Sequence, residues 1–155
     1  METIVSEVKT IWVTDDDEED LQIFIDVLKS LYPSVNLTGL SSGNELINSL
    51  SFSPTPDLLF LDLYMPCTDG TDCLTAIRAE QKFKNLPIII CSSSTATIDI
   101  DKAYIAGANL YIYKPYAYSE LCTVIERILQ LDWSNPKEIT STHYMGGKPV
   151  PFMAQ

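Results

Sequence analysis

The sequence predicts an α/β domain in which a parallel five-stranded sheet is covered by helices on both faces. Three observations lead there. Short apolar runs recur along the chain with helical patterns between them, which is the order of βαβ units. The central runs, LLFL at Leu58–Leu61 and IIIC at Ile88–Cys91, are continuously apolar, as strands buried on both faces must be. The chain has 155 residues, 46% of them hydrophobic, enough for one core and short for two.

The first strand is read at Lys9–Thr14, and Leu21, Phe24, Ile25, Leu28 and Leu31 then keep the i, i+3, i+4, i+7 spacing of a helix face that stops before Pro33. Val35–Leu40 follows as the second strand. Ser42, with Glu45 three residues on, forms a capping box that opens a helix to about Leu50, and Ser53–Pro56 breaks it. The third strand runs into Asp62 and is followed by a helix over about Thr71–Lys82. Pro87 introduces the fourth strand, Thr95–Ala106 is a helix ended by Gly107, and Leu110–Tyr113 is the fifth strand. A last helix over about Tyr118–Leu131 completes a (βα)5 order. Ala117 stands at its start, where a Ser, Thr or Asp cap is usual. Residues 8–131 therefore form the domain, and 132–155 read as a C-terminal tail without a separate effector domain, rich in breakers and lacking an apolar period. Trp133, Tyr144 and Phe152 make it more apolar than a solvating tail. Packing on its own domain or a neighbour, and disorder, both stand as readings. His143, the one histidine, is expected to be exposed there.

A formal charge of −11 surrounds the chain with a field that repels nucleic-acid phosphates and anionic membrane surfaces. Cys67, Cys73, Cys91 and Cys122 form no C-x-x-C pair and have no histidine at ligand spacing, so they read as reduced, packed thiols. The N-terminus has no signal-peptide pattern and no stretch is long enough to span a bilayer, which points to a cytoplasmic protein.

Ligand sites of open parallel sheets lie beyond the carboxyl ends of the strands. The residues found there are Asp15, Asp16 and Asp17 after the first strand, Asp62 after the third, Ser92 and Ser93 after the fourth, and Lys114 with Pro115 after the fifth. Crowded carboxylates repel one another, and a divalent cation removes the conflict. Oxygen ligands with no His or Cys select a hard ion, and few protein ligands favour Mg²⁺. With Lys114 supplying a second positive charge, the cluster suits a dianionic phosphoryl group, with Asp62 as nucleophile and Ser92 bonding to a phosphoryl oxygen.

These positions carry a resemblance. The acidic pair in VTDDDEED, the run D-x-x-M-P-x-x-x-G from Asp62 to Gly70, the hydroxyl of PIIICS and Y-x-x-K-P from Tyr111 to Pro115 resemble the response-regulator receiver family of two-component signalling, over about Val8–Leu131. The resemblance implies a flavodoxin-like fold with strand order 2-1-3-4-5. It implies a stand-alone switch phosphorylated on Asp62 by a sensor histidine kinase or a histidine phosphotransfer protein. It assigns Mg²⁺, or Mn²⁺, to Asp15 through water, to Asp16 and Asp62, and to the Tyr64 backbone carbonyl. It makes Lys114 a phosphate ligand beside a cis bond to Pro115, and Ser92 and Tyr111 the switch pair. Output would pass through the fourth helix, fifth strand and fifth helix, to another protein or a second copy, or by handing the phosphoryl group onward. Such a switch catalyses its own phosphorylation and dephosphorylation without being an enzyme on other substrates.

Tyr64 is bulkier than many residues found two positions after the phosphoacceptor, and a ring leaning over the phosphoryl group would hinder hydrolysis and lengthen its life. Ser93 replaces the usual Ala or Gly and adds a second hydroxyl. Asp17 to Asp20 read as a solvated helix start. Rival readings are a haloacid-dehalogenase-type phosphatase, whose D-x-D motif is interrupted by Tyr64, a receiver-like binding module that needs no phosphorylation, and a transcription factor, for which the tail is too short.

Overall fold

A computed structural model describes residues 8–65, 70–150 and 152. Five strands form one parallel sheet: β1 (Thr10–Thr14), β2 (Asn36–Leu40), β3 (Leu58–Asp62), β4 (Ile88–Ser92) and β5 (Leu110–Tyr113), in the order β2-β1-β3-β4-β5. Between and after them run α1 (Glu18–Leu31), α2 (Gly43–Phe52), α3 (Gly70–Ala79), α4 (Thr97–Ala106) and α5 (Tyr118–Leu129). This is the expected flavodoxin-like arrangement.

Alternation along the strands divides the core. Trp12, Leu59, Leu61, Ile88 and Ile90 face Leu46, Leu50, Leu74, Ile77 and Ala103 on one side of the sheet. Ile11, Val13, Phe60, Ile89 and Ile112 face Val27, Leu28, Ile125 and Ile128 on the other. Burial of β3 and β4 on both faces is why their sequences show no polar alternation. In-register pairing, with Thr14 beside Leu61 and Asp62 beside Cys91, brings the carboxyl ends of β1, β3 and β4 level.

Local chemistry sets the helix ends. Asp17 caps α1, its carboxylate accepting from Glu19 N at 3.0 Å and Asp20 N at 3.1 Å. Ser42 Oγ accepts from Glu45 N at 3.1 Å, while Glu45 reaches back to Ser41 N at 2.7 Å, one residue earlier than a strict capping box requires. Gly107 ends α4 with φ of 117°. The expected helix over Thr71–Lys82 ends at Ala79 and yields to a 3₁₀ turn at Gln81–Phe83. There the Arg78 guanidinium collects the carbonyls of Phe83 and Gly107 and the Asn109 side chain, and Phe83 enters the core. Ala117 begins α5 without a side-chain cap, in keeping with its sequence.

The segment after α5 folds back on the domain. A helix α6 (Pro136–His143) is followed by a small antiparallel pair, β6 (Tyr144–Met145) and β7 (Lys148–Pro149). Gly146 and Gly147 have φ of 59° and 74°, as a two-residue primed turn demands. Trp133 and Ile139 are buried in the core beneath α5, and Trp133 Nε1 donates to Ile128 O at 2.7 Å, satisfying a carbonyl at the helix end. The Tyr144 ring stacks on Tyr104 of α4 at 4.4 Å between centroids. The absence of an apolar period in the sequence therefore concealed an element held by tertiary contacts. His143 is half-buried, against the expectation of exposure, because α6 lies against the domain and Phe152 packs on the imidazole at 5.5 Å.

Candidate functional site

Of the residues singled out at the strand ends, Asp15, Asp16, Asp62 and Lys114 come together in one cluster at the carboxyl edge of the sheet. Asp15, Asp16 and Asp62 each offer a carboxylate oxygen within 4.8 Å of the others. Lys114 Nζ donates to Asp15 Oδ2 at 2.8 Å and lies 3.3 Å from Asp62 Oδ1. Asp15 and Asp62 are buried, whereas Asp16 is exposed at the rim. The Lys114 N–H donates to Ser92 O at 2.8 Å, so continuation of the β4–β5 ladder beyond the strands helps fix the lysine.

Burial first, and then the charge of Asp15, push the Asp62 carboxyl up from 3.8 to about 7, against the opposing pull of Lys114. Burial alone would lower the Lys114 ammonium, but the hydrogen bond to Asp15 and the charge of Asp62 outweigh it and raise the group. Three carboxylates in one place, one of them pushed up by burial and by the charge of Asp15, form a donor set that fits a hard divalent cation, whose charge would offset that push.

Ser92 is buried at the end of β4, its Oγ accepting from Ser94 N at 3.1 Å. Ser93 is exposed, beside Lys114 in a cleft between α1 and the β5–α5 loop that Phe24, Tyr116 and Leu121 also line. Tyr111 is buried and its hydroxyl donates to Ser94 O at 2.9 Å, so the aromatic ring and the β4–α4 loop are directly joined. Tyr64 is 55% exposed, and its hydroxyl donates to the Asp99 carboxylate on α4.

One expectation is corrected. The described residues contain no cis peptide bond, so the Lys114–Pro115 bond is trans, and the lysine reaches both carboxylates from that backbone. Pro66 to Asp69, the middle of the acidic-strand motif, and Cys67 with them, lie outside the described residues. Cys73, Cys91 and Cys122 form no disulfide among the described residues.

Two features escaped the sequence reading. Asp20, taken as part of a solvated helix start, places Oδ2 3.5 Å from Lys114 Nζ. Its position in the first turn after β1 was the available signal, since that turn opens at the same edge of the sheet. Asp99 had no signal of this kind, because its partners come from two separate loops.

Known proteins are similar in sequence and fold. The response regulator receiver domain family matches residues 11–126. The chain is 33% identical over 119 residues to the sensor histidine kinase CheAY of Helicobacter pylori, covering 76% of this chain and 15% of that protein. It is 32% identical over 120 residues to the transcriptional regulatory protein BaeR of Escherichia coli, covering 77% and 48%. The chain thus spans half or less of these two relatives' own lengths. Among solved structures, the phosphorylated cyanobacterial phytochrome response regulator RcpA is similar with a TM-score of 0.72 and 26% identity, over 78% of this chain and 91% of that one. The Mn²⁺-bound form of response regulator Rcp1 gives 0.68 and 26%, over 79% and 89%. No helix among the described residues is long and apolar enough to cross a membrane. With the family model matching residues 11–126 and the sheet in the order β2-β1-β3-β4-β5, the chain belongs to the response regulator receiver domain family.

Proposed function

We propose that this receiver is a phosphoacceptor switch in which Asp62 takes a phosphoryl group from the phosphohistidine of a sensor histidine kinase or a phosphotransfer protein. The observation that carries the reading is the convergence of Asp15, Asp16, Asp62 and Lys114 within a few ångströms at one sheet edge. An Asp62 oxygen bonds to phosphorus as the phosphorus–nitrogen bond of the donor breaks, and the electron pair stays on the imidazole. Lys114 bonds to one phosphoryl oxygen and Ser92 Oγ to another. Asp15, Asp16, Asp62 and the Tyr64 carbonyl would hold Mg²⁺, with Mn²⁺ as a substitute. When bound, the ion supplies positive charge to the phosphoryl oxygens and to the crowded acids.

Ser92 and Tyr111 are the switch pair in this reading. Movement of Ser92 toward a phosphoryl group draws on the loop whose Ser94 carbonyl holds the Tyr111 hydroxyl. The altered surface of α4, β5 and α5 then meets a protein partner or a second copy. The receiver occupies residues 8–131, and 132–155 is an appendage without a separate effector domain, in a protein acting in the cytoplasm.

Intact mass after incubation with acetyl phosphate and Mg²⁺ tests this. A single phosphoryl adduct is expected on the wild type and neither on Asp62→Asn nor with EDTA. No adduct would leave a phosphorylation-independent binding module as the better reading.

A further inference from the structure

We propose that Asp99, in the first turn of α4, is a positioning residue that holds the Tyr64 ring across the rim of the phosphoryl site and so sets the lifetime of the phosphoaspartate. The proposal rests on the reading of Asp62 as phosphoacceptor. Asp99 Oδ2 accepts two hydrogen bonds, from the Tyr64 hydroxyl and from Ser94 Oγ, the latter at 2.6 Å. These donors belong to different loops. Tyr64 follows β3 and Ser94 follows β4, so one carboxylate ties the two loops together at the mouth of the site.

The topology places the ring. Asp62 pairs in register with Cys91, so β4 lies beside the phosphoacceptor strand, and α4 begins beyond the end of β4. A side chain that starts two residues after Asp62 and ends on Asp99 bridges from the loop after β3 to the start of α4. An exposed tyrosine would otherwise sample several rotamers, and a hydrogen bond to an ionised acceptor is the kind strong enough to select one. Ser94 adds a second tie, because its carbonyl accepts from the Tyr111 hydroxyl at 2.9 Å while its Oγ braces Ala96 N at 3.2 Å. Asp99 thus links the loop after the phosphoacceptor strand with the loop that follows Ser92.

In hydrolysis a water oxygen bonds to phosphorus from the side opposite Asp62 as the phosphorus–oxygen bond to Asp62 breaks. The electron pair returns to the Asp62 carboxylate, and the water protons pass to phosphate and solvent. A ring held over that approach excludes water, and a freed ring admits it.

The test uses full-length protein phosphorylated with acetyl phosphate, freed of donor, and followed by intact mass. Loss of a solvent-exposed hydrogen bond worth about 1 kcal/mol changes the rate about fivefold. Asp99→Ala and Tyr64→Phe are each expected to lose the phosphoryl group about fivefold faster, and the double variant no faster than either, since both remove one bond. Asp99→Asn keeps an acceptor oxygen and should stay within about twofold of wild type. A wild-type rate in Asp99→Ala overturns the proposal, even if its thermal midpoint falls, because that pattern marks a purely structural helix start. Multiplying effects in the double variant also overturn it. Absence of any adduct on the wild type overturns the phosphoacceptor reading itself and is recognised separately.

Discussion

Lys114 and Asp15 lie 99 residues apart in the chain, yet their side chains meet at 2.8 Å. The lysine also lies 3.3 Å from Asp62, so one cation stands beside both buried carboxylates. Replacing it with the uncharged Lys114→Met is expected to lower the stability of metal-free protein by about 1–2 kcal/mol, since partial exposure screens what a fully buried unpaired acid would cost. Mg²⁺ should restore much of the loss. Thermal unfolding with and without Mg²⁺ measures both, and an unchanged metal-free midpoint would show that the lysine carries no such burden.

Asp62 gives a pH dependence of defined sign. Its folded value of about 7 lies above the ordinary 3.8, so between these pH values the folded state binds more protons than the unfolded state. Its contribution therefore favours folding most below pH 4, and stability is lost as pH rises to about 7. Asp62→Asn should flatten this slope and, without metal, stabilise the protein at neutral pH by about 1–2 kcal/mol, solvent at the rim screening the rest. Urea titrations across that window decide the matter; a variant with the wild-type slope would contradict it.

Gly70 is where α3 meets the loop after Asp62, its N–H donating to Leu63 O at 2.6 Å. A Cβ there would stand 2.4 Å from Asp62 O and 2.8 Å from Leu63 Cα, both backbone atoms with little room to yield. Gly70→Ala is expected to cost about 1–3 kcal/mol and to slow phosphorylation of Asp62, because relief of the clash shifts the acceptor strand itself. Denaturation and acetyl phosphate kinetics on the same sample would check the pairing of the two effects.

Trp133 and Ile139 make the last segment part of the core. Trp133→Ala should cost about 3–5 kcal/mol. Removal of residues 134–155 should lower the thermal midpoint, since it uncovers the surface that Ile139 buries. Calorimetry of both variants tests this, and a truncated chain as stable as the whole would mean that α6 contributes nothing to folding.

Much of the site could be read directly from the chain because a parallel sheet with short loops turns strand order into spatial order. Asp15, Asp62, Ser92 and Lys114 each follow an apolar run, and in-register strands bring such positions to one edge. The helices were legible for similar reasons: Asp17, Ser42 and Gly107 are local signals answered by local bonds. Less could be foreseen of α6, whose eight residues bury one side chain and owe their order to Trp133, Ile139 and the Tyr104–Tyr144 stack. The trans Lys114–Pro115 bond and the Asp20–Lys114 contact were likewise decided in three dimensions.

The sequence by itself determined the fold class, the strand ends and the acids and lysine that gather there, since apolar patterning and turn chemistry are properties of neighbouring residues. Only the tertiary structure decided which carboxylates share the lysine, how the last segment covers α4 and where the Tyr64 hydroxyl comes to rest. Those contacts join residues far apart in the chain, and their geometry exists only once the sheet and its helices have packed.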